Sequence, residues 1–185
     1  AYEAADREQP IAGKRWSIEH AFIARPEQLP RIAKLALGLS IQDHLYVVAP
    51  VLNKYWGNER ASQVTPLKSY LDAGLLVAGG TDSYVIPFNP FLQLYHYLTR
   101  DSISAGVYGA NQAVTSRSQL LRLLTINYAK LIGQEQHLGS IEPDKLADFA
   151  VLTDDFLTVE PKKILEMKAL STYVGGKEVY RDPAF

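Results

Sequence analysis

Apolar and polar positions fall into blocks that switch between two periods along the chain. Three short runs, residues 15–20, 39–42 and 75–80, have strand length and end in polar residues. The last, Leu75-Leu76-Val77-Ala78 stopped by Gly79-Gly80, is the near-continuous apolar pattern of a strand buried on both faces. Within residues 26–37, Leu29, Ile32, Ala33, Ala36 and Leu37 recur at helical spacing, and Gly38 reads as the stop. Residues 45–63 show no clear period and read as a long connection. Thr65 and Pro66 then read as N-cap and first turn of a helix that Gly74 ends. Residues 91–100 read as a helix after Pro87 and Pro90, and 102–115 as irregular. Residues 116–132 read as one helix with Leu120, Leu123, Leu124, Asn127, Tyr128 and Leu131 on its face and Gly133 at its end. From 138 the texture changes to short β-rich runs at 138–141, 148–152 and 171–174. Gly175-Gly176 joins the last of these to 177–180 as a hairpin.

The order strand, helix, strand, helix, strand argues for parallel βα units, an α/β fold. The polar tips fall at His20, at Gln42 to His44 and at Asp82. A (β/α)8 barrel of about 250 residues advances by roughly 31 residues per unit, and the spacing from His20 to Asp82 fits two such steps. Three parallel strands do not close a barrel and leave two bare edges. The chain starts at Ala1, its one methionine is Met167, and residues 1–8 read as the last turns of a helix with no N-cap. The expectation is a sequence that begins inside a longer one.

Composition narrows the function classes. With 185 residues, 47% of them hydrophobic, the chain has enough apolar material for one good core or a core with a small satellite. A net charge of −1 with well-mixed signs gives no basic patch for nucleic acid. There is no cysteine, hence no disulfide framework, thiolate nucleophile or cysteine zinc site. No run approaches about 18 apolar residues, so the expectation is a soluble, cytoplasmic protein without a membrane partner.

His20 and Asp82 are the leading chemical candidates. Imidazole nitrogen and carboxylate oxygen together suit Zn²⁺ or a similar divalent ion, and a carboxylate beside metal-activated water can take and return a proton. The alternatives are a hydrogen-bonded histidine at a strand end and an aspartate that caps the next helix. His44 reads as a third ligand, a lining of the substrate pocket or a surface histidine. Glu19, by strand alternation, should point away from His20 and be structural. His96, between Tyr95 and Tyr97, reads as structural and His137 as exposed. Tyr46, Tyr55 and Trp56 read either as a substrate wall or as core filling.

Ser17-Ile18-Glu19-His20-Ala21, Ser40-Ile41-Gln42 and Gly79-Gly80-Thr81-Asp82-Ser83, in that order, resemble the sixth, seventh and eighth barrel strands of the amidohydrolase superfamily, in its YtcJ-like, family 3 branch of metal-dependent hydrolases. Residues 138–152 resemble that family's return into its small β-sandwich, and 172–180 its closing hairpin. The resemblance implies a partial TIM (β/α)8 barrel over residues 1–135 and C-terminal strands of the sandwich over 136–185. It implies hydrolysis of a non-peptide C–N bond, in an amide or cyclic amide, by metal-activated water. The metal ligands would be His20 and Asp82, with Asp82 also moving the proton, and the cofactor one or two divalent ions, zinc foremost. Gln42 and His44 become candidates for contact with a small-molecule substrate, although Asp43 stands where the family has proline. The family's first-strand His-x-His pair, bridging Lys or Glu and fifth-strand histidine have no counterpart in the chain. The rival expectation is a catalytically incomplete unit that self-associates or needs the missing N-terminal half.

Overall fold

The computed structural model describes residues 1–42, 44–85 and 87–185, and for 44–47 the backbone alone. It is a mixed α/β structure with two three-stranded sheets. Helix α1 (Tyr2–Glu8) leads to β1 (Ser17–His20), and a 3₁₀ turn at Pro26–Gln28 runs into α2 (Leu29–Lys34). Strand β2 (Gly38–Gln42) is followed by α3 (His44–Ala61), α4 (Leu67–Asp72) and β3 (Val77–Gly80). After α5 (Pro90–Thr99), α6 (Arg117–Leu124) and α7 (Ile126–Leu131) come β4 (Phe149–Leu152), β5 (Ala169–Val174) and β6 (Lys177–Arg181).

The first sheet has the order β1-β2-β3 and is parallel throughout. Glu19 pairs with Ser40 and His20 with Ile41; across the other ladder Ser40 pairs with Ala78 and Gln42 with Gly80. All three polar tips therefore leave the same end of the sheet. Leu39, Ile41 and Val77 are fully buried, in one cluster with Leu120 and Leu123 of α6. The second sheet, β4-β5-β6, is antiparallel, with Phe149 and Tyr173 stacked across it at 4.5 Å. The connection from β4 to β5 sends Phe156, Ile164 and Met167 into the main core.

Several elements differ from the pattern-based reading. Residues 44–61 form a helix with a non-helical residue at Gly57. Among its described side chains the buried positions, Ala49, Leu52 and Ala61, are small or widely spaced, and Tyr55 and Trp56 are exposed, so these form no apolar stripe. The 26–37 helix ends at Lys34; Ala36 turns left-handed (φ 50) and Gly38 opens β2. Thr65 does not cap α4: the N-cap position is Pro66, without a side-chain cap bond. The 116–132 helix is two helices, interrupted at Thr125 (φ −126, ψ −102). Residues 138–141 are not a strand. A Cβ at Gly139 would lie 2.7 Å from Ile126 Cα, so that backbone is packed against α7.

Candidate functional site

Strict alternation would put His20 on the Ile18 side of β1, away from Glu19. The backbone departs from it at the tip. His20 has φ 64 and Ala21 φ 39, and at the end of the outer strand Asp82 has φ 54. Left-handed backbone is costly for residues with a Cβ, and such conformations cluster at functional sites. The turn at His20 brings its ring into the polar row of Glu19, Ser40 and Gln42: His20 Nδ1 lies 2.8 Å from Gln42 Oε1. Gln42 Nε2 donates to Glu19 Oε1 at 2.8 Å and to Ser40 Oγ at 3.0 Å. Ser40 Oγ donates to Glu19 Oε1 at 2.5 Å. Since Gln42 Oε1 can only accept, His20 Nδ1 carries the proton, and a neutral ring then has its lone pair on Nε2.

The loop that holds His20 in this pose is pinned from behind. The buried Tyr70 hydroxyl on α4 donates to Ala21 O at 2.6 Å and accepts from Ala24 N–H at 3.2 Å. Burial pushes this phenol up to about 12. Thr65 N–H donates to Phe22 O at 2.8 Å. Thr65 is fixed in turn by Arg100, only 1% exposed. Its guanidinium donates to Thr65 O at 2.9 Å, Val64 O at 2.8 Å, Ser62 O at 3.3 Å and Tyr108 O at 2.9 Å. At the other tip, buried Gln93 of α5 donates through Nε2 to Gly80 O, two residues before Asp82, and to Tyr97 Oη at 2.8 Å.

His20 and Asp82 thus stand at one end of the sheet, on strands that have β2 between them and run about 10 Å apart at two strand spacings. His20 is exposed and Asp82 half-buried. An imidazole with Nε2 as its basic atom and a carboxylate form a donor set of the kind divalent transition ions accept. Among the described residues no group of three His, Asp or Glu side chains is placed to hold an ion. Asp43 and the His44 side chain lie outside the described residues. Gln42 is buried with its amide engaged as above, His96 is buried on α5, and His137 is exposed. An open cleft of about 520 Å³ between α1, α2 and β1 has His20 in its wall, with Ile18, Leu39 and Arg31. No described helix is long and apolar enough to cross a membrane. Sequence reading missed Glu19, Tyr70 and Arg100. Only Glu19, adjacent to His20, carried any sequence signal, and alternation argued against it.

The family model for the amidohydrolase family matches residues 1–180. The N-substituted formamide deformylase of Arthrobacter pascens is 33% identical over 178 residues, covering 95% of this chain and 32% of that protein. The putative amidohydrolase YtcJ of Bacillus subtilis is 25% identical over 181 residues, covering 96% of this chain and 34% of that protein. An uncharacterized metal-dependent hydrolase from Pyrococcus horikoshii superimposes with a TM-score of 0.69 at 26% identity, over 79% of this chain and 30% of that one. The chain therefore spans about a third of the length of the curated relatives it matches. With a family model matched along almost its whole length and structural neighbours in the same TIM-barrel superfamily, the chain belongs to the amidohydrolase family.

Proposed function

We propose that this chain is the C-terminal share of a metal-dependent hydrolase that cleaves a non-peptide C–N bond, in an amide or cyclic amide of a small molecule. In this reading β1, β2 and β3 are barrel strands six to eight, residues 1–135 belong to the barrel, and residues 136–185 supply the last strands of a small β-sandwich. The observation that supports it best is the pair of left-handed tips, His20 and Asp82, at one end of a parallel sheet. His20, through Nε2, and Asp82 would hold a divalent ion, and their nitrogen and oxygen donors suit zinc. When bound, that ion supplies Lewis acidity, which acidifies water and polarises a carbonyl. Asp82 accepts the proton as water oxygen bonds to the substrate carbonyl carbon. It returns that proton to the nitrogen as the C–N bond breaks, releasing an acid and an amine. The resemblance of the chain to the formamide deformylase makes N-substituted formamides the first substrates to try.

The full-length protein with Asp82→Asn should lose hydrolysis of such a substrate while keeping its fold; near-normal turnover in that variant would remove Asp82 from the mechanism. A second reading is favoured by the absence of a three-ligand group among the described residues and by the chain's share of its relatives' length. The 185 residues alone would then be a catalytically incomplete unit that completes its site by self-association or with the N-terminal half. Metal-dependent turnover by the purified chain as a monomer overturns that second reading.

A further inference from the structure

We infer that Glu19 and Gln42 are positioning residues that select which nitrogen of His20 is basic, with the charge of Glu19 as the origin of the selection. The inference rests on the reading of His20 as a ligand only where metal affinity is concerned. An amide side chain can turn over and exchange its donor and acceptor ends at no cost in shape. With its NH₂ toward His20, Gln42 would force the ring proton onto Nε2 and remove the lone pair from the atom assigned to the metal. What forbids that orientation is Glu19, whose ionised carboxylate only accepts and which faces the Gln42 amide at 2.8 Å. Ser40 alone could not decide the matter, because a hydroxyl donates or accepts equally well. Its proton is already committed to Glu19 Oε1, which leaves its oxygen to accept the second Gln42 hydrogen. The three side chains come from paired positions of β1 and β2, Glu19 opposite Ser40 and Gln42 two residues on, so the ladder itself keeps them in register. Gln42 is buried, at 6% exposure, whereas Glu19 is exposed. The fixed orientation therefore passes from a solvent-facing charge, through a buried amide, to the imidazole. A carboxylate or carbonyl on the far nitrogen of a ligating histidine is a recurrent device for fixing tautomer and ring orientation. Here an amide is interposed, and its direction depends on the carboxylate of Glu19.

The test uses the metal-free full-length protein labelled with ¹⁵N-histidine, at a pH where the rings are neutral. Two-bond and three-bond proton–nitrogen correlations report the tautomer, and His20→Gln identifies the His20 signals. The wild-type chain should show protonated Nδ1 and unprotonated Nε2. Glu19→Gln replaces an obligatory acceptor by a group of equal size that presents either end, and the Nε2-protonated form should become substantially populated. Gln42→Met, which removes the amide, should do the same. Zinc affinity by calorimetry should fall about 10- to 100-fold in both variants. An unchanged His20 tautomer in folded Glu19→Gln overturns the inference, whatever its melting temperature. A shifted tautomer with unchanged zinc affinity upholds the selection by Glu19 and instead removes His20 from the metal site.

Discussion

The Tyr70 hydroxyl offers a test of how the His20 loop is held, because its removal and its ionisation act in opposite senses on one pair of proteins. Tyr70→Phe deletes the donor to Ala21 O and the acceptor for Ala24 N–H while leaving the ring in the core. Unpaired groups of this kind cost about 1–3 kcal/mol, so at pH 8 the variant should be less stable by that amount. The wild-type phenol titrates at about 12 when folded, against an ordinary value of 10.0. A group whose folded pKa is raised stabilises fully below the unfolded pKa and loses that contribution as pH rises through the folded one. The window is therefore pH 10 to 12. For a two-unit gap the wild type forfeits about 1.4 kcal/mol by pH 11 and up to about 2.7 kcal/mol above pH 12; phenylalanine forfeits nothing. All other tyrosines are common to both proteins and cancel in the difference. Urea unfolding followed by fluorescence at pH 8, 10 and 11 should show the gap between wild type and variant shrinking by about 1.4 kcal/mol across that series. A gap that stays constant to pH 11 refutes the buried, doubly bonded hydroxyl, and with it the clamp on the His20 loop.

Two further perturbations probe the frame around the site. Gly109 has φ +62, and a Cβ there would run into Ser62 O, with Arg100 Nη2 at 3.4 Å. Gly109→Ala should therefore cost about 2–4 kcal/mol, combining backbone strain with a clash that backbone cannot yield to; a thermal melt within a degree of wild type would contradict the packing described. At the surface, the Arg15 guanidinium holds the Glu135 carboxyl down at about 2, through bonds of 2.7 Å to both its oxygens. That depressed value makes the contact present above the ordinary glutamate range and lost only as pH falls through about 2. The Glu135 carboxyl carbon shift, followed by NMR, should show its midpoint there and move back toward 4.5 in Arg15→Gln; a wild-type midpoint near 4.5 would mean that the pair does not persist in solution.

Strand β3 was legible because burial on both faces leaves one kind of sequence, an apolar run ended by polar residues, as in 75–82; β1, with no buried residue, was legible from its length and its polar tip. Helix α3 was not, since Ala49 and Ala61 bury almost no side chain and Val51, Tyr55 and Trp56 face solvent; the hydrophobicity of its described side chains does not map onto one side. The break at Thr125 was hidden for the opposite reason: the leucines before it and the residues after it continue the same stripe, while the Thr125 hydroxyl turns back to Leu121 O at 2.8 Å. Thr65 followed by proline has the look of a cap, but φ 44 at Thr65 and the claim of Arg100 on its carbonyl put it to another use. His20 and Asp82 could be picked out because chemistry-bearing residues at strand tips stand apart in the sequence. The tie between Glu19 and His20 could not, because it depends on a left-handed residue that breaks alternation at the last position of β1. Local backbone departures of this kind are decided by tertiary contacts, here those of Tyr70, Thr65 and Gln42.

Arg100 ties residues 62, 64, 65 and 108 through their carbonyl oxygens alone. Every amino acid has a carbonyl, so this clamp places no demand on which side chains occupy Ser62 and Val64 as far as the bonds themselves go. The path of the segment is inherited from one guanidinium, whereas its sequence is held by packing, with Val64 buried against Ala49, Leu52, Ala61 and Tyr108. Lysine, with three donors on a single nitrogen, could not reproduce the fan of contacts. Exchange of α3 for another insert would therefore have to keep apolar side chains where Ala49, Leu52 and Ala61 meet Val64 and Tyr108, because those contacts seat the anchored segment from the other side. A lineage, or a protein engineer, can thus vary the exposed positions between β2 and residue 62, such as Val51, Tyr55 and Trp56, more freely than the few that meet this cluster.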